Sequence, residues 1–290
     1  MARHSETQRL KWALAINSVY FFAELIAGFL TNSLALISDA GHMLSDVGAL
    51  ALSLFAFRMA QRPATHQSTF GYHRVEILVA LFNGLTLWFI VGIIFAAAYQ
   101  RILQPPTVES FGMTIVAILG LAVNLAAAAI LHAGHRHNLN MRGAFLHVAS
   151  DAFGSVGAIA AGAVMLTTGW YLADPLISVF IGALILFSSW SLVKDSVSVL
   201  MQSVPKGIRL EEVRQTIESV DGVSKVHDLH VWAVTSDIFT LSAHAVVENG
   251  GDFHQVLNDI EDTLKQRFNI EHTTIQLETE SREDKEYKAF

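Results

Sequence analysis

Ser38-Asp39-Ala40-Gly41-His42-Met43-Leu44-Ser45-Asp46 sets two acids and a histidine inside an otherwise apolar run. On a helix, Asp39, His42 and Asp46 fall three and four residues apart and share one face. An ionisable side chain at the centre of a bilayer costs roughly 2.5–3.5 kcal/mol even on lenient insertion scales, so such a residue faces a cavity or a partner. A similar signature returns as His147-Val148-Ala149-Ser150-Asp151, again inside a long apolar segment. A single pair reads equally well as a hydrogen bond between helices. Two pairs offer two imidazole nitrogens and two carboxylates, the donor set of a tetrahedral zinc site. Zinc suits it better than magnesium or calcium, which prefer all-oxygen shells; cobalt, cadmium and nickel are harder to exclude. Asp39 is a candidate to orient His42 or carry a proton, or else an acid near a helix start.

The rest of the chain agrees with a membrane setting. Of 290 residues, 52% are hydrophobic and only 16% charged, too apolar for an ordinary soluble protein. The net charge of −7 belongs mainly to the segment after Pro205, and no basic footprint points to nucleic acid. Cysteine is absent, which removes disulfides, thiolate ligands and cysteine nucleophiles together. Histidine and carboxylate must therefore carry any metal chemistry, and 13 histidines are present.

Six apolar segments have the length of a span, at about 12–30, 34–57, 76–100, 111–132, 144–167 and 172–193. Thr31-Asn32-Ser33, Gln104-Pro105-Pro106-Thr107 and Thr168-Gly169-Trp170 supply the turns. The basic N-terminus before the first run resembles a signal peptide, but the run is as long as a full span and lacks a convincing cleavage site. Lys and Arg concentrate on one side (Arg3, Arg9, Lys11; Arg58, Arg62, Arg74; Arg136, Arg142; Lys194, Lys206), with Arg101 on the other. The positive-inside rule then puts both termini in the cytoplasm. The expected class is an α-helical membrane protein with six transmembrane helices and a small α+β C-terminal cytoplasmic domain. The expected limits are 1–204 for the membrane domain, 205–280 for a metallochaperone-like domain of αββαβ order, and 281–290 for a charged tail. Within the soluble domain the pattern predicts a helix over 208–220, strands over 225–234 and 238–247, a helix over 253–268 and a strand over 272–278.

These motifs resemble the cation diffusion facilitator family of the zinc-transporting bacterial type. The resemblance rests on His42/Asp46 and His147/Asp151 in the second and fifth spans, on Phe70-Gly71-Tyr72-His73-Arg74-Val75-Glu76, and on His227-Asp228-Leu229-His230-Val231-Trp232 in the tail. It implies a zinc/proton antiporter, not an enzyme, that exports Zn2+ from the cytoplasm, with Cd2+ or Co2+ as further substrates. It also implies a homodimer in the cytoplasmic membrane. Protonation of imidazoles, whose ordinary pKa is about 6.5, gives Zn2+ and H+ a common set of atoms to compete for. The spans carrying the pairs would have to tilt against the others.

Further histidines are candidates for metal. His132, His135 and His137 form a cluster between spans four and five that reads as a zinc collector or as a polar loop that helps set topology; His66 and His73 flank the second connection. In the tail the resemblance favours His227, His244 and His254 as zinc ligands. The third strand has Gln276 where some relatives supply histidine, followed by Glu278. Strand alternation puts His230 and His244 on one face and His227 on the other, so joining His227 to His244 requires a bulge or another ligand set. The tail's alternative role is dimerisation through an exposed sheet face, with Trp232 as anchor. Two other functions remain open: an intramembrane metallohydrolase, weakened by the lack of His-Glu-x-x-His, and a membrane zinc sensor that signals through the tail.

Overall fold

The computed structural model describes residues 18–132, 139–235, 237–248 and 252–281, with backbone alone at 50, 130–132, 139–147, 149 and 150. Five described helices are long and apolar enough to cross a membrane: α2 (Leu34–Ala60), α3 (Arg74–Leu103), α4 (Ser110–His132), α5 (Leu139–Thr168) and α6 (Ala173–Leu200). They follow a shorter apolar helix, α1 (Ser18–Thr31). The expected start of the first span, 12–17, lies outside the described residues. The soluble part contains α7 (Leu210–Glu218), β1 (Val223–Thr235), β2 (Ile238–Val247), α8 (Phe253–Phe268) and β3 (Ile270–Glu278), the αββαβ order read from the sequence. Two compact units result. One takes residues up to Leu52 together with Phe82–Leu192, and the other takes Ser53–Leu81 with Val193 onward.

The first unit is a helix bundle whose centre holds Leu36, Leu87, Val91, Met113, Ala158, Met165 and Ile181. Many of its aromatic side chains, among them Phe22, Phe89, Phe153 and Phe187, are exposed, the arrangement expected where the surroundings are hydrocarbon. Small residues allow close helix approach: a Cβ on Gly157 would lie 2.6 Å from Ile177 Cδ1.

The turn from α1 to α2 is fixed by polar groups. Asn32 takes the left-handed conformation at φ 55°, which asparagine tolerates better than most residues. Asp174, fully buried near the start of α6, reaches the first turn of α2 and accepts from Ser33 Oγ at 2.6 Å, Leu34 N at 2.8 Å and Ala35 N at 3.1 Å. Free amides at a helix N-terminus stabilise a carboxylate there. Arg101, at the end of α3, stands 3.4 Å from the same carboxylate and donates to the Asn32 carbonyl at 2.7 Å.

In the second unit the strand order is β1-β2-β3, with β1 antiparallel and β3 parallel to β2. Parallel pairing of β2 and β3 needs a crossover, which α8 provides. Val213 and Ile217 of α7 and Val256, Ile260 and Leu264 of α8 pack on Val226, Val231, Leu241, Ala243 and Ala245 of the sheet. Asp252 caps α8 by accepting from His254 N and Gln255 N, and Asn269 ends it at φ 55°. Observed boundaries differ from expectation by one or two residues. Arg209 is still extended, which delays α7 to Leu210, and β3 starts early because Ile270 is buried and pairs with Phe239.

Candidate metal sites

Helix α2 places His42 and Asp46 one turn apart, and α5 brings Asp151 to the same imidazole. His42 Nε2 lies 3.6 Å from Asp46 Oδ2 and 3.6 Å from Asp151 Oδ1. These separations are too long for good hydrogen bonds. They are close to the roughly 3.3–3.5 Å expected between neighbouring ligands of a tetrahedral zinc with bonds of about 2.0–2.2 Å. His42, Asp39 and Asp151 line a cavity of about 510 Å3 whose walls include Gly154, Phe180, Ile181 and Leu184. Apolar walls around a few convergent polar atoms strengthen electrostatic interactions inside.

His147 belongs to α5 one turn before Asp151, but its side chain lies outside the described residues. So do the side chains of His132, His135 and His137. Supporting polar contacts that the sequence reading did not name surround the pair. Ser45 Oγ donates to Asn83 Oδ1 at 3.3 Å, and Asn124 Nδ2 reaches Ser155 Oγ at 3.4 Å. Ser155 in turn donates to the Asp151 carbonyl at 3.3 Å.

The soluble domain holds a second group, the tightest among the described residues: His227, His244 and Glu278, whose ligand atoms all lie within 4.8 Å of one another. His227 and Glu278 are almost fully buried, and His227 Nε2 is 3.2 Å from Glu278 Oε2; His244 Nδ1 is 3.4 Å from Glu278 Oε1. The two imidazole rings meet edge to face at 5.2 Å.

A bulge creates this group. His227 pairs with His244 in the ladder, yet His230 pairs with Ser242, so β1 spends three residues where β2 spends two. Asp228 absorbs the extra residue at φ 47°. Its side chain then faces two histidines, at 2.9 Å from His230 Nε2 and 3.8 Å from His244 Nε2. On β3, Gln276 donates to Glu278 Oε1 at 2.6 Å. Gln276 therefore holds the acid that the sequence reading put forward, and Asp228 is a contributor that reading passed over.

His254 is exposed in the first turn of α8 and is not among the three. Its spacing along the chain brings it to the helix end, while the sheet supplies the cluster. His272 is exposed, with its ring 5.5 Å from that of Phe70. Neither His66 nor His73 joins a three-ligand group among the described residues.

The fold and these clusters define a multi-pass membrane protein with groups of histidine and carboxylate side chains in both of its parts. Residues 10–201 match the cation efflux transmembrane domain, and residues 205–280 match the cation efflux protein cytoplasmic domain. The chain belongs to the cation diffusion facilitator family, a family of transporters rather than enzymes. It is 46% identical over 267 residues to the cadmium, cobalt and zinc/H(+)-K(+) antiporter of Bacillus subtilis, covering 90% of this chain and 86% of that one. It is 44% identical over 270 residues to the metal cation efflux system protein CzcD of Cupriavidus metallidurans, with 93% and 85% covered. The zinc transporter ZitB of Pectobacterium atrosepticum is 39% identical over 288 residues, with 97% and 90% covered. Among solved structures, the metal-bound C-terminal domain of the CzcD transporter is 38% identical; the match covers 24% of this chain and 99% of that one, at a TM-score of 0.24.

Proposed function

We propose that this protein exports divalent metal cations, Zn2+ foremost, from the bacterial cytoplasm in exchange for protons. The observation that carries the reading is the position of His42 between Asp46 and Asp151 at the wall of a cavity. His147 completes a His2Asp2 set. Two nitrogens and two carboxylate oxygens favour zinc over magnesium and calcium, and leave Cd2+ and Co2+ as competing cargo. The names of the relatives, which include zinc, cadmium and cobalt antiport, agree with this substrate class.

Ligand groups must be unprotonated to bind metal, so metal and protons exclude one another at the same atoms. Alternating exposure of such a site to the two sides couples the two fluxes. Domain limits of 1–204 and 205–280, a homodimer, and an inner-membrane location with both termini cytoplasmic belong to the same reading. In the tail, His227, His244 and Glu278 form a regulatory zinc site, with Asp228 and Gln276 orienting its ligands.

A second reading is a membrane zinc sensor, favoured by the compactness of that tail group. Proteoliposomes containing the purified protein, with zinc and pH dyes inside and an imposed proton gradient, separate the two. Antiport predicts zinc entry with opposite proton movement. Zinc binding without flux rejects it in favour of the sensor.

A further inference from the structure

From Ile115 to Leu131, helix α4 carries a single polar side chain, Asn124. It is 4% exposed. An amide in apolar surroundings costs free energy unless it is hydrogen-bonded, so its partner indicates its task. That partner is Ser155 on α5, itself 1% exposed, whose hydroxyl oxygen lies 3.4 Å from Asn124 Nδ2. Ser155 Oγ in turn donates to the backbone carbonyl of Asp151, one turn earlier, at 3.3 Å. Two bonds therefore lead from α4 to the backbone of the residue whose carboxylate faces His42.

The same two helices also meet sterically. A Cβ on Gly162 of α5 would collide with the Thr114 hydroxyl of α4. That contact sets the distance between the helices but leaves α5 free to turn about its own axis. Turning matters at the site. A carboxylate about 5–6 Å from a helix axis moves about 1 Å when the helix turns by about 10°, whereas a working site holds its ligands to within about 0.5 Å.

The Asn124–Ser155 pair is directional and lies one turn from Asp151, where it opposes such a rotation. Both bonds are long for their kind, and hydrogen bonds between membrane helices contribute little to stability. Their effect falls on the aim of Asp151 more than on the survival of the fold.

We propose that Asn124 is a positioning residue for the cargo site: through Ser155 it fixes the rotation of α5 and so aims the Asp151 carboxylate at the imidazole of His42. This rests on the reading of the cavity beside His42 and Asp151 as the place where the cation binds.

Zinc calorimetry on the purified full chain tests it, with His227→Ala and His244→Ala present to empty the tail group. The binding event that Asp151→Ala removes is the one read. Asn124→Leu, close in size but unable to hydrogen-bond, and Ser155→Ala should each weaken that event about 10- to 100-fold. The double variant should bind no more weakly than the worse single one, because both act along one chain of contacts. The Tm of the zinc-free protein should stay near the parent's. Parental zinc affinity in Asn124→Leu, with or without a lowered Tm, overturns the proposal, and so do losses that add in the double variant. Should Asn124→Leu not yield folded protein, Ser155→Ala decides alone, and parental affinity there overturns the proposal. Proteoliposome flux separates this inference from the antiport reading. A parent that shows no proton-coupled zinc flux overturns both. Coupled flux in the parent together with parental zinc affinity in Asn124→Leu overturns only the role of Asn124.

Discussion

His42 Nε2 on α2 and Asp151 Oδ1 on α5 meet at 3.6 Å beside a cavity. The contact joins the two helices that carry the paired motifs. It predicts that Asp151→Ala abolishes zinc flux while the protein still inserts and folds. The loss should reach at least the roughly 10- to 100-fold that even an outer partner of a metal ligand is worth. Undiminished flux in reconstituted vesicles would remove α5 from the site.

Selectivity should follow the donor atoms. Replacing His42 with Asp exchanges a nitrogen for an oxygen and is expected to narrow the discrimination between zinc and cadmium. Competition between the two metals for flux measures it. An unchanged preference would mean that the ligand set does not govern the choice.

Asp174 is a structural keystone of a different kind, since it takes three donors from the start of α2 and faces Arg101. Its replacement by Ala leaves buried donors and a cation without their partner, and should cost about 3–5 kcal/mol. Asp174→Asn retains part of the hydrogen bonding and should cost less. Equilibrium unfolding in mixed micelles compares the two, and equal stabilities of both variants and the parent would deny the carboxylate any part in holding α2.

In the soluble domain, Asp228→Asn keeps a residue that tolerates the positive φ of the bulge but removes the charge beside His230 and His244. Zinc affinity of the tail group should fall about 10- to 100-fold. Calorimetry on the full chain in the Asp151→Ala background isolates that site. Affinity equal to the parent's would show that Asp228 does not orient the ligands.

Much of this was legible in the sequence because hydrocarbon imposes a strong pattern. Long apolar runs gave the helices α2 to α6, and an acid or histidine inside such a run stands out on cost alone, as His42 and Asp151 did. Glu24 carries the same signal, a single acid in the first apolar run, yet the sequence shows no spaced histidine or acid on its own helix; only the fold shows it buried against the Tyr20 hydroxyl. Asp174 was hidden for a related reason. The helix end it caps is far away in the chain, and N-cap rules read only neighbours.

The tail shows where periodicity runs out. Alternation along β1 separates His227 from His244, and the bulge at Asp228 reverses the phase between them. A bulge is one residue of extra length with no fixed composition, so the need for it was visible while its position was not. His254, suggested by likeness to a family position, lies exposed in the first turn of α8 and is outside that three-residue group.

X-ray absorption at the zinc edge reads whether His42, Asp46, His147 and Asp151 hold the cargo ion. The protein would carry His227→Ala and His244→Ala to empty the tail group, with and without His42→Ala. The expected result is a four-coordinate nitrogen and oxygen shell with two imidazoles, reduced to one by His42→Ala. An unaltered zinc environment in that variant would contradict it.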